Sequence, residues 1–166
     1  KAQLSASLQR DYSRIAREWP YKDVPRRIIA EEYLSELGNN EILDYKMYCF
    51  HGKPKLTVVC SDRFSKTGTR MNFYDIDWNP MGIHFGHYPP VSTEFTRPET
   101  YKEMLRVATE LSKDCPFLRV DFYEIKGRLY IGELTFFPGA GFEKFRPMTK
   151  DYELGEWLHL ETVHRG

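Results

Sequence analysis

Apolar positions along the chain follow two different periods. In Ala2 to Glu18, Leu4, Leu8 and Ile15, followed by Trp19, recur at roughly helical spacing until Pro20 stops the pattern, which predicts a helix. Arg27 to Leu34 (RIIAEEYL) is β-branched at its start, and the polar, turn-rich Ser35 to Asn40 separates it from a predicted strand at Asp44 to Phe50. His51-Gly52-Lys53 reads as a hairpin turn into Pro54 to Cys60. Arg70 to Tyr74 is a further predicted strand after the polar loop Ser65 to Thr69. Asp75 to Thr96 contains Pro80, Gly82, Gly86, Pro89 and Pro90 and is predicted to be mostly loop.

Thr96 and Glu99 form a capping pattern, with Pro98 early in the first turn, and Tyr101, Met104, Leu105, Ala108 and Leu111 follow on one helical face. After this helix, Lys126-Gly127 reads as the turn of a hairpin whose strands are Arg119 to Tyr123 and Leu129 to Thr135. A loop at Pro138 to Gly141 and a polar tail close the chain. Helix, several antiparallel strands, helix and hairpin make an α+β domain, an antiparallel β-sheet with helices packed on one face.

Alternation assigns faces in the last hairpin. Arg119, Asp121 and Tyr123 share one face of the first strand, while on the second Glu133 and Thr135 share a face and Tyr130 and Leu134 take the other. Two carboxylates and a guanidinium converge if the register aligns them. Magnesium is typically held by one or two carboxylates together with water and substrate phosphates, so Asp121 and Glu133, with the Thr135 hydroxyl, are candidate ligands. The alternative is a sheet face on which the same charges meet water. Asp44 and Lys46 also share a face, where the solvated reading is favoured. Arg63 and Arg70 flank a Gly-containing loop and are candidates for gripping phosphate or carboxylate.

Composition narrows the choices further. With 166 residues, 41% of them hydrophobic, the chain is expected to form one domain with its own core. Its 24 basic and 24 acidic residues cancel, so no net charge points to nucleic acid or a membrane surface as partner. Cys49, Cys60 and Cys115 lack metal-site spacing and fit a reducing, cytoplasmic setting. No apolar run approaches the ~20 residues needed to cross a bilayer. His51, His84, His87, His159 and His164 show no zinc-enzyme spacing, and neither a nucleophile-elbow nor a P-loop motif is present. A chain beginning at Lys1 suggests a processed or excised piece.

Several stretches in order, REWPYKDVPRRIIAEEYL, DYKMYCFHGKPK, SDRF, RMNFYDIDW and FLRVDFYEIKGRLYIGELTFFPGAGFEKF, resemble the C-terminal part of the TupA-like ATP-grasp family, associated with teichuronopeptide and other cell-surface polysaccharide biosynthesis. The resemblance implies an enzyme that holds ATP between two α+β subdomains and activates a carboxylate as an acyl phosphate for attack by an amine. It places Asp121 and Glu133 at the Mg²⁺ positions and Thr135 where such ligases often have Asn. Arg119 is then set to stabilise transferring charge, and Lys46 and Arg63 to meet phosphate or a substrate carboxylate. It assigns Glu31, Glu32, Tyr33 and Leu34 to the strand that meets adenine, Asp44 to the ribose hydroxyls, and Pro138, Gly139 and Gly141 to a loop beside the acceptor substrate.

The resemblance also implies a missing earlier subdomain. The expectation is that an apolar face of this chain is exposed or is covered by another copy, as a homo-oligomer. The expected substrate is a small-molecule or saccharide-linked carboxylate. Two rivals remain at this point: a metal-dependent protein of glycosyltransferase type using a nucleotide-sugar, and a nucleotide-binding domain without turnover.

Overall fold

The computed structural model describes residues 2–15, 17–34, 42–62, 68–86, 88 and 94–160. Its centre is a five-stranded antiparallel sheet in the order β3-β2-β1-β5-β6, formed by β1 (Asp44–Phe50), β2 (Lys53–Ser61), β3 (Arg70–Asp75), β5 (Phe117–Ile125) and β6 (Arg128–Thr135). A two-stranded ribbon of β4 (His84–Phe85) and β7 (Phe145–Arg146) lies beside it. The helices are α1 (Ala2–Leu8), α2 (Tyr12–Ile15), α3 (Tyr101–Ser112) and α4 (Met148–Gly155). The α+β class predicted from the pattern is the one observed.

Both hairpin turns have the chemistry of two-residue loops. His51 and Gly52 take φ of 48° and 76°, and Lys126 and Gly127 take 52° and 70°, so both central residues are left-handed in each turn, as the twist of antiparallel strands favours. Gly52 is doubly constrained, because a Cβ there would stand 2.9 Å from the Cα of Lys113. Gly52→Ala is therefore expected to destabilise the protein by about 2 kcal/mol. A thermal melt should record this as a fall of roughly 6 °C, and an unchanged midpoint would contradict it.

Period-two alternation sorts the sheet into two interiors. On one face, Tyr45, Met47, Cys49, Val59, Val120 and Phe122 pack against Tyr101, Met104 and Ala108 of α3. On the other, Tyr48, Phe50, Leu56, Val58 and Phe73 pack against Ile83, Phe85 and Leu154, which come from the ribbon region and α4. The three cysteines form no disulfide, and among the described residues no helix is long and apolar enough to cross a membrane.

Four predicted details differ. The helix predicted over Ala2 to Glu18 breaks into α1, α2 and a 3-10 turn at Trp19–Tyr21, and its apolar positions Leu4, Ile15 and Trp19 are exposed rather than packed. Arg27 to Tyr33 belongs to no strand. The helix predicted to start at the Thr96–Glu99 pattern begins at Tyr101 instead, after a turn in which the Tyr101 amide donates to Pro98 O. There Glu124 on β5 accepts from both the amide and the hydroxyl of Thr100, at 2.7 and 2.6 Å, so a carboxylate from a distant strand does the work of the cap. The polar tail contains α4.

Candidate functional site

The register puts charged residues side by side across three strands. Lys46 on β1 pairs with Asp121 on β5, Asp121 pairs with Glu133 on β6, and Arg119 pairs with Thr135. Cross-strand partners point to the same face, so the convergence expected of Arg119, Asp121, Glu133 and Thr135 is present. Tyr130 departs from its predicted side. The register shifts between Asp121 and Phe122, and the extra residue is Gly132 on β6, so Tyr130 pairs with Tyr123 on the same face as Asp121. A Cβ on Gly132 would stand 2.5 Å from the Tyr123 ring, which explains glycine at the bulge.

Asp121 is the hub. Its Oδ1 accepts from Arg119 Nε at 2.7 Å, and its Oδ2 accepts from Arg119 Nη2 at 2.8 Å and from the Lys46 ammonium. Lys46 Nζ also lies 2.8 Å from Asp44 Oδ2, and Arg119 Nη2 reaches Glu133 Oε2 at 3.1 Å. Asp44 and Asp121 are each only 1% exposed, whereas the Glu133 side chain is 63% exposed. The solvated-face alternative therefore fails for Asp44, Lys46 and Asp121. Burial alone would lower the Lys46 pKa, but the charges of Asp121 and Asp44 outweigh it and raise the value above the ordinary lysine range. Arg119 is raised in the same way, with burial opposed chiefly by Asp121.

Magnesium, which the resemblance implies, would need hard oxygen donors. Among the described residues no three His, Cys, Asp or Glu side chains form a cage. The donor set nonetheless suits an ion bound partly by substrate phosphates. Asp121 and Glu133 are adjacent, Asp121 Oδ1 and the Glu133 carboxylate keep lone pairs beyond those accepting hydrogen bonds, and the buried Thr135 Oγ1 has no hydrogen-bond partner. Three acids against two cations leave one negative charge in excess, which favours a cation at the Glu133 end.

Glu31, Glu32 and Tyr33 are exposed in a segment without strand pairing, and Leu34 is half-buried. Asp44, expected at the ribose, is buried within the cluster as an ion-pair partner of Lys46. Arg63 lies outside the described residues. Arg70 meets Asp62 at 3.2 Å. Pro138, Gly139 and Gly141 form a 3-10 turn with left-handed Gly139, where a Cβ would collide with Glu143 Cγ at 2.2 Å.

Sequence reasoning missed two features. Glu18 is buried, with its Oε2 lacking a hydrogen-bond partner, and its charge is the first cause of the raised Tyr12 pKa, to which Glu133 also contributes. The second is an aromatic cavity beginning at Tyr48, for which the signal was Tyr48 and Phe50 continuing the face of Asp44 and Lys46.

An α+β scaffold with carboxylates and cations on paired central and edge strands is the arrangement expected of the ATP-grasp class. The model of the family described as TupA-like ATPgrasp matches residues 1–159, and the chain belongs to that family. Comparison with curated proteins and with solved structures gives no match.

Proposed function

We propose that the protein is an ATP- and Mg²⁺-dependent carboxylate ligase acting in cell-surface polysaccharide or teichuronopeptide biosynthesis. The observation that carries this reading is the cross-strand set of Asp121, Glu133 and Thr135, with Arg119 bridging both carboxylates. In this reaction a substrate carboxylate oxygen attacks the γ-phosphorus of ATP, ADP leaves, and an amine then displaces phosphate from the acyl carbon with loss of a proton. Bound magnesium would supply neutralisation of the phosphate charge. Asp121, Glu133 and Thr135 would hold it. Arg119, anchored by Asp121, would meet charge developing on the transferred phosphoryl group, and fixed charge of this kind is usually the largest single contribution to catalysis.

The same reading makes the chain the C-terminal part of a two-lobed unit with the nucleotide between the lobes. Edge strand β6, where Ile131 and Leu134 stand exposed, supports a covering lobe on that side. Calorimetric titration of the full-length enzyme with ATP tests the proposal. Binding is expected with magnesium and at least tenfold weaker after chelation, and sustained ADP production over many turnovers should require both a carboxylate and an amine. Nucleotide binding indifferent to magnesium would refute the metal assignment.

A further inference from the structure

A cavity of about 570 Å³ opens on the sheet face that carries the ion-pair cluster. That volume lies within the ordinary range of small-molecule sites. Its floor begins at the next pair on the same face beyond Lys46 and Asp121, at Tyr48, whose cross-strand partner is Arg119. Tyr48, Phe50, Phe117, Phe137, Phe145 and Leu154 are among the apolar residues of the wall, which also includes Pro138 and Gly141 of the turn after β6. A substrate whose reacting group sits at Arg119 therefore has this cavity next to it, at the paired residue Tyr48.

The wall chemistry selects what can enter. The charged residues lining it are Glu143 and Asp151, and Asp151 Oδ1 already accepts from the Phe145 amide at 2.9 Å. A sugar ring carries hydroxyls around its whole rim, and each needs a partner when buried; a wall of phenyl rings leaves most of them unpaired. An apolar body needs none, and its burial is favourable in proportion to area. The electrostatics set the direction, since Glu143 and Asp151 repel a carboxylate from the wall while Arg119, the cross-strand partner of the lining residue Tyr48, attracts it.

We propose that this cavity receives the uncharged, predominantly apolar body of the carboxylate substrate, with its carboxylate held at Arg119. The substrate class is then a bulky aryl or alkyl carboxylic acid, and not a bare sugar acid. This assignment rests on the ligase reading above, and it deepens that reading by naming the substrate.

Binding can be measured without turnover, by calorimetry of the full-length enzyme with 3-phenylpropanoate, octanoate and glucuronate as probes. The two apolar acids are expected to bind at least tenfold more tightly than glucuronate. Gly155 lines the cavity, and a Cβ added there meets nothing within 4 Å, so Gly155→Trp can fill the space without a collision at its first atom. This variant should bind the apolar acids at least tenfold more weakly and Mg-ATP as before. Phe137→Ala, at a half-exposed wall position, provides a second test with little risk to folding and should weaken the same two ligands. Equal or tighter binding of glucuronate, or apolar binding indifferent to both variants, overturns the assignment while leaving the ligase reading intact if Mg-ATP still binds. Apolar acid binding that persists in a protein with no affinity for Mg-ATP overturns the ligase reading instead, and leaves the cavity's ligand class supported.

Discussion

Asp121→Asn is expected to lower the stability of the protein by about 3–5 kcal/mol, even though it keeps the size and shape of the side chain. Asp121 is 1% exposed and holds Arg119 through two bonds and Lys46 through a third. With the charge removed, two cations remain on a mostly buried face. Lys46 keeps Asp44, and Arg119 keeps only the exposed Glu133, so Arg119 loses most of its compensation. An Asn side chain also presents an amide nitrogen to donors that need an acceptor, which leaves one of those contacts unmade. For a chain of 166 residues the expected fall in melting temperature is roughly 10 °C or more. A variant melting within about 2 °C of the parent would show that the cluster is solvated and that its bonds are not made in solution. Loss of activity in Asp121→Asn consequently cannot by itself identify a metal ligand, because the fold is at stake as well.

The limits of sequence reading follow from the same physics. Strand alternation names a face, so Arg119, Asp121, Glu133 and Thr135 were legible as neighbours once Lys126-Gly127 marked the turn. Alternation does not say what covers the face, and on this one Tyr48, Phe50, Leu56, Val58 and Phe73 are packed by Ile83, Phe85 and Leu154, which come from the ribbon region and α4. That layer was hidden. Helix α4 buries Leu154 alone among residues such as Thr149, Lys150, Asp151 and Glu153, so it carries no apolar stripe. The side of Tyr130 was misjudged because Gly132 adds one residue to β6, and a single glycine in a strand does not reveal the shift until its partner strand is placed. In Ala2 to Glu18 the opposite error occurred, since helical spacing was present but Leu4, Ile15 and Trp19 have no surface to pack on among the described residues. The start of α3 depended on Glu124, more than twenty residues away.

Glu133→Gln separates stability from function where Asp121→Asn cannot. The Glu133 side chain is 63% exposed, and its ion pair with Arg119 at 3.1 Å lies in a setting where such pairs contribute about 0–1 kcal/mol. The substitution preserves volume on an edge strand and leaves the Arg119–Asp121 pair in place, so the melting temperature should stay within about 3 °C of the parent. Metal binding is another matter. Under the proposed function Glu133 is the most accessible anionic donor of the set, and an amide oxygen in its place carries no net charge toward a divalent ion. Even loss of a residue that merely supports a ligand typically weakens metal affinity 10–100-fold, so removing a ligand's charge should reach the upper end of that range. The expected result in the full-length enzyme is magnesium-dependent ATP binding about a hundredfold weaker, with binding of 3-phenylpropanoate at the cavity unchanged. Raising magnesium should recover part of the nucleotide affinity, because the defect lies in ion binding and not in the phosphate contacts. Parental nucleotide affinity at low magnesium in Glu133→Gln would exclude Glu133 as a ligand and leave it as a surface partner of Arg119.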